Sequence, residues 1–205
     1  MKILIIGSNS KLFLIHHKVP IMKFAKKKNI KVICLRHHQI FKHNFFEYDL
    51  CLVYADPKNK EHEYHNFIIK KFNNACLISS SAVFSKEIMY KYVKRKINNE
   101  MIYKSNNCGI IRIGNTLKNE KKNVSPFILY SSDKDIVLSV TNLLKKPSLV
   151  VNCFKIVKNN ERSILKSIYI FFDKVSPKRI YLRPFDFILK LIGYSGYGYS
   201  FIKDA

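Results

Sequence analysis

The sequence predicts a doubly wound α/β domain, in which a parallel sheet is covered by helices on both faces. Three observations lead to that reading. First, apolar runs recur as far as residue 154: KILIIG (2–7), KVICLR (31–36), DLCLVYA (49–55), ACLISSS (75–81), GIIRIG (109–114) and SLVVNCF (148–154). Second, these runs are short, rich in β-branched residues and apolar on both faces, as strands of a sheet buried on both sides must be. Third, longer helical or mixed stretches separate them, with candidate helices near 11–28, 60–73, 86–105 and 134–145. Strands alternating with helices in this way build a parallel sheet through crossover units, and such crossovers are right-handed.

The chain has 205 residues, enough for one full core with a small appendage. Residues 1–155 are read as the nucleotide-binding domain, and 156–205 as a short C-terminal helical and irregular extension packed on it. The pattern changes at that boundary. Residues 161–173 (ERSILKSIYIFFD) have amphipathic helical spacing, residues 180–192 are strongly apolar with Pro184 among them, and the Gly/Tyr-rich end is irregular. This tail is expected to cover the core; a homodimer contact or a peripheral membrane contact are the alternatives. No window carries 18 uninterrupted apolar residues, so no membrane span is expected. The short apolar run after Met1 reads as a buried first strand, because a signal peptide needs a longer apolar core.

The formal net charge is +23 and the pI about 9.8. Such a charge suits an anionic partner: nucleic acid, lipid headgroups or a phosphorylated substrate. The joint abundance of Lys, Asn, Ile, Phe and Tyr also fits AT-rich codon usage. The basic residues are spread along the chain rather than gathered on one element, which disfavours nucleic acid as the partner. The five cysteines form no CxxC pair, and four sit in the apolar runs VICL, LCLV, ACLI and CGII. They are expected to be buried free thiols in a reducing cytoplasm. The seven histidines show no helical metal-ligand spacing with a third ligand, so no metal is expected.

Two stretches carry candidate chemistry. After the first strand comes Gly7-Ser8-Asn9-Ser10-Lys11, where a Rossmann domain turns into its first helix. Small residues there let the backbone approach a pyrophosphate at a helix N-terminus. Gly7 supplies the first glycine; Ser10 and Phe13 stand where the second and third are usual. The second strand ends at Arg36, and a base in that place suits the extra phosphate of NADP(H), where an acid would suit NAD. The other stretch is the serine-ended strand ACLISSSAVF followed by a helix with Tyr92, Lys96 and Glu100. Tyr-x-x-x-Lys puts both side chains on one helical face. An ammonium beside a tyrosine stabilises its phenolate, which can then exchange a proton with a substrate hydroxyl or carbonyl. The same spacing occurs at Tyr54/Lys58, Tyr90/Lys94, Tyr130/Lys134 and Tyr199/Lys203, but only 92/96 and 90/94 follow a serine-ended strand.

Taken in order, these segments resemble the NAD-dependent epimerase/dehydratase family, the extended short-chain dehydrogenase/reductases that act on nucleotide sugars. MKILIIGSNS is similar to the opening strand and glycine loop, here degenerate, and YDLCLVYADP to the strand ending near the cofactor. LISSSAVF resembles the serine-rich strand, and YVKRKINNE the Tyr-x-x-x-Lys-x-x-x-Glu helix, in which Glu100 favours Tyr92 over Tyr90. GIIRIGN, SSDKDIVLSVTNLLKKP and LVVNCF are similar to the later segments. The resemblance implies Ser80 as the catalytic serine, with Ser79 and Ser81 as competitors, Tyr92 as acid/base, and Lys96 as the residue that binds the ribose and tunes the tyrosine. It also implies Gly7, Ser10 and Lys11 as cofactor-loop positions. The segment 115–127 is short where the family carries part of its sugar-nucleotide site, and the chain is shorter than a full member.

The expected function is an NAD(P)-dependent sugar-nucleotide reductase or epimerase in surface polysaccharide biosynthesis, acting in the cytoplasm, with NADP favoured over NAD. The alternatives are an inactive relative that binds nucleotide or a protein partner, and a basic module for membrane surfaces or nucleic acid.

Overall fold

The computed structural model describes residues 1–43, 47–54, 61–84, 91–114 and 127–158. Among these, six strands form one parallel sheet: β1 (Lys2–Ile6), β2 (Lys31–Leu35), β3 (Leu50–Val53), β4 (Ala75–Ser80), β5 (Gly109–Ile113) and β7 (Val150–Cys153). Their order across the sheet is β2-β1-β3-β4-β5-β7, and all five pairings are parallel. This is the predicted Rossmann-like architecture. The helices are α1 (Lys18–Lys27), α2 (Glu61–Lys71), α3 (Lys91–Ser105) and α4 (Asp133–Lys145).

Period-two alternation along the strands explains why both faces are apolar. Ile3, Ile5, Leu50, Leu52, Ile111 and Ile113 point to one side, where Ile21 of α1 and Ile136, Val140 and Leu143 of α4 meet them. Leu4, Ile6, Cys51, Val53, Leu77 and Ile110 point to the other, under Tyr64 and Ile68 of α2 and Tyr103 of α3. Gly109 is required by this packing. A Cβ there would press on the Pro147 carbonyl oxygen and come within 2.7 Å of Leu143 Cδ2. Gly109→Ala is therefore expected to cost about 1–3 kcal/mol through overpacking, read as a lower urea midpoint with an unchanged denaturant slope.

Three features depart from the sequence expectation. β2 lies at the sheet edge and is half-exposed, so Cys34 faces solvent while Cys51, Cys76, Cys108 and Cys153 are buried. An apolar run does not by itself distinguish an edge strand from a central one. A second, two-stranded antiparallel sheet is also present, made of β6 (Phe127–Tyr130) and β8 (Lys155–Lys158). Finally, the first helical segment, which begins at Lys11, carries a π turn at Phe13–His17 ahead of α1, in which the Lys18 N–H donates to the Phe13 carbonyl. Pro20 lies three residues into α1. It has no N–H for the His16 carbonyl and its ring would crowd that oxygen, so a locally widened turn relieves the clash. The tail 159–205, including the expected helix at 161–173, lies outside the described residues, as do Ser85–Tyr90 and the segment 115–126.

Candidate functional site

Parallel strands bring their carboxyl ends, and the loops that follow, to one edge of the sheet, where ligands of such folds bind. Gly7 follows β1 with φ at +80°, a conformation that favours glycine. The N–H groups of Gly7 and Ser8 both donate to the Leu35 carbonyl, at 2.9 and 3.0 Å. This fastens the loop to the end of β2, beside Arg36. The Ser10 N–H closes the turn on the Gly7 carbonyl at 2.9 Å. Ser10 Oγ accepts from the Phe13 N–H at 3.2 Å, so Ser10 caps the helix. Lys11 and Arg36 are exposed at the mouth of this loop, with His37 and His38 next in the chain. The structure thus brings Gly7, Ser10, Lys11 and Arg36 together. The first-turn N–H groups of any helix lack intrahelical acceptors, and residues 1–46 contain no Asp or Glu. Backbone donors and two cations form a donor set that fits a dinucleotide pyrophosphate.

Phe13, in the place of the third glycine, is buried with its ring 5.1 Å from that of Tyr54. Below it, His17 Nδ1 and the Tyr54 hydroxyl share a 2.9 Å hydrogen bond. His17 Nε2 is buried with no hydrogen-bond partner among the described residues. Burial, with His16 adding repulsion, pushes the His17 pKa down to about 3 from an ordinary 6.5. The sign follows from linkage. Above pH 6.5 the imidazole is neutral whether folded or unfolded. Below it only the unfolded chain takes the proton, so stability falls with pH by about 1.4 kcal/mol per unit. Between pH 6.5 and 5 His17 is expected to remove about 2 kcal/mol. Urea unfolding of wild type and His17→Gln across that range checks this; equal slopes for the two would refute it.

The second half of the site is at the end of β4. Ser80 Oγ accepts from the Ala82 N–H at 3.2 Å, which fixes the start of a 3-10 turn at Ser81–Phe84. Among the described residues its hydroxyl proton has no acceptor. Ser79, pointing to the opposite face, is buried and its Oγ has no hydrogen-bond partner among the described residues. Ala82 packs against Val93, with Phe84, Ile97 and Phe154 around them. This contact seats the start of α3 on the turn that ends β4. One helical turn joins Tyr92 to Lys96, whose Nζ lies 5.8 Å from the centre of the Tyr92 ring. Tyr92 is 43% exposed and Lys96 only 8%, so a buried cation sits beside an accessible phenol. Of the rival pairs, Tyr90, Lys58, Tyr199 and Lys203 lie outside the described residues. Tyr130 ends β6 whereas Lys134 is on α4, so that pair shares no helix.

Sequence reasoning missed the role of Arg112. Its Nε and Nη2 make three hydrogen bonds of 2.7–3.1 Å to the buried Glu100 carboxylate. Its Nη1 reaches Asn152 Oδ1 at 3.3 Å, and its guanidinium lies 4.9 Å from the centre of the Phe84 ring. Arg112 therefore locks α3, the turn after β4, and β7 together. Through Glu100 it holds the helix that carries Tyr92 and Lys96. The signal was present in the sequence, because an arginine inside the apolar strand GIIRIG requires a buried partner. Ser131 was missed as well. Its buried Oγ accepts from the Gly114 N–H at 2.8 Å and donates to the Cys153 carbonyl, tying the ends of β5 and β7 to the start of α4.

No protein-family model matches the chain, and no curated protein matches it in sequence. Solved structures do match the fold. The chain is similar to the UDP-glucose 4-epimerase of Thermus thermophilus, solved in complex with NAD, at 9% identity and a TM-score of 0.55, over 82% of this chain and 83% of that one. It is similar to the UDP-N-acetylglucosamine 4-epimerase of Bacillus cereus at 13% identity and a TM-score of 0.52, over 78% of each chain. The capsular polysaccharide assembling protein CapF from Staphylococcus aureus matches at 12% identity and a TM-score of 0.51, over 84% of this chain. There the chain spans 58% of the other protein's length. At these identities the likeness establishes the fold alone.

Proposed function

We propose that this chain is a nucleotide-sugar reductase or epimerase of the extended short-chain dehydrogenase/reductase type, using NAD(P), in the making of a surface polysaccharide. The observation that carries the reading is the joining of a serine-ended strand to a Tyr92–Lys96 helix face through the Ala82–Val93 contact. The solved structures of like fold include two nucleotide-sugar epimerases, one holding NAD, which supports a ligand of this class.

In this reading the bound nicotinamide supplies or receives the hydride. Gly7 and Ser10 let the cofactor's pyrophosphate approach the backbone, with Lys11 as a nearby cation, and Arg36 favours the additional phosphate of NADP. Tyr92 moves the proton to or from the substrate oxygen, Lys96 binds the ribose and supplies positive charge beside the phenol, and the Ser80 hydroxyl donates to the same oxygen. A general acid held in this way contributes about 10²- to 10⁴-fold.

Titration with NADPH and NADH, followed by nicotinamide fluorescence, tests the first step. Saturable binding, tighter for NADPH, is expected. No binding of either at millimolar concentration would sink the reading. Phe13 in the third glycine's place favours a second reading, a relative that binds nucleotide without turnover. Saturable cofactor binding with no reaction on any of a panel of nucleotide sugars would select it.

A further inference from the structure

The outward face of α1 and of the π turn before it carries an apolar stripe that the described fold leaves uncovered. Leu14, Ile15, Val19 and Met22 are 41–57% exposed, and Leu138 of α4 is 60% exposed. Phe13, Pro20, Ile21 and Ala25, on the other side of the same helical segment, are buried. The stripe is thus surplus to the core. An open groove of about 450 Å³ between α1 and α4 extends it, lined by Val19, Pro20, Val137 and Leu138. Single exposed apolar residues are ordinary, whereas a contiguous set marks an interaction surface.

The surrounding charges select what that surface takes. Lys18, Lys23, Lys26, Lys27 and Lys28 are exposed along the same helix and its end, and residues 1–46 hold no acid. On the α4 side the groove is lined by Asp133 and Lys134, and the Asp135 carboxylate is engaged by the Ser132 N–H and hydroxyl. An apolar stripe bordered by lysines suits a helix lying in the headgroup layer of an anionic bilayer. The apolar side chains enter the acyl boundary while the ammonium groups reach up to phosphates. A second copy docked on this face would bring two sets of lysines together, at a Coulomb cost.

We propose that the α1 face seats this domain on the surface of an anionic phospholipid membrane. No described helix is long and apolar enough to cross a membrane, so the contact lies in the interface plane. It uses none of the residues assigned to the nucleotide site and stands independently of that reading.

The chain contains no tryptophan, so Ile15→Trp provides a single reporter on the stripe. Its emission is expected to shift to the blue with vesicles of phosphatidylcholine containing phosphatidylglycerol, and to stay unchanged with phosphatidylcholine alone. Cosedimentation of the unsubstituted chain with the same vesicles guards against affinity created by the tryptophan. Lys18→Gln and Lys23→Gln are each expected to lower the partition coefficient about fivefold. Val19→Ser combined with Met22→Ser should lower it further while leaving the circular dichroism unchanged. No shift and no cosedimentation with anionic vesicles overturns the proposal, as does equal binding to neutral vesicles. Blue emission in the free protein overturns it too: independent of concentration it means that the chain covers its own face, and dependent on concentration it means that a second copy does.

Discussion

Tyr92→Phe is expected to lower turnover about 10²- to 10⁴-fold while leaving nicotinamide cofactor affinity within about twofold of wild type. The substitution removes one oxygen and keeps the ring. The ring's neighbour, the Lys96 ammonium at 5.8 Å from its centre, keeps its contact. Tyr92 is 43% exposed, so losing the hydroxyl leaves no buried group unpaired and stability should hold. Steady-state rates on a nucleotide sugar that the wild type converts, together with cofactor fluorescence, separate the two effects. A large loss of cofactor affinity would mean that Tyr92 binds rather than moves a proton. Lys96→Met should weaken both cofactor affinity and rate, because it removes the cation proposed to contact the ribose.

Glu100→Gln is expected to destabilise the fold by about 3–5 kcal/mol, since it leaves a largely buried guanidinium without its counter-charge. Glu100 is 3% exposed and receives three hydrogen bonds from Arg112. The cation of Lys104, 3.5 Å away, is half-exposed, and a pair of that kind contributes little. Such a loss takes a large share of the roughly 5–15 kcal/mol of a typical domain. Chemical denaturation measures it, and the double variant Glu100→Gln with Arg112→Met should recover much of the loss by removing the stranded charge. A single-variant loss below about 1 kcal/mol would show that solvent screens this pair.

Much of the fold was legible because sheet burial imposes a simple code. Every strand covered on both faces had to be apolar at consecutive positions, and runs such as LCLV and ACLIS are nearly so at each residue. β2 obeyed the same code in composition yet lies at the edge, because nothing in KVICL reports which neighbours the strand will have. The antiparallel pair β6 and β8 escaped notice for a different reason. FILY and KIVK are four residues each, too short for a period to emerge. The π turn had a local cause in Pro20, but a proline near a helix start ordinarily signals only a first turn.

The candidate site divides the same way. The side-by-side placement of Tyr92 and Lys96 follows from helical spacing alone and was readable. The engagement of Ser80 Oγ with the Ala82 N–H, and the isolation of Ser79 Oγ among the described residues, depend on how β4 ends and on the turn after it. Those are properties of the folded backbone. The Glu100–Arg112 lock joins residues 12 apart in sequence through tertiary packing, and only the oddity of a charge within GIIRIG hinted at it.

The strand order has a consequence for how the sheet assembles. β1 pairs with β2 and β3, all within residues 2–53. From there each later strand adds to a single growing edge, β4 on β3, β5 on β4, and β7 on β5. Assembly can therefore proceed in the order of synthesis, each step closing a loop of moderate length at a cost that grows only slowly with length. A ribosome-bound nascent chain should acquire protease resistance in stages, the first after β3 has emerged. Deleting β7 would trim one border, whereas losing β3 would sever the β2–β1 pair from everything built after it.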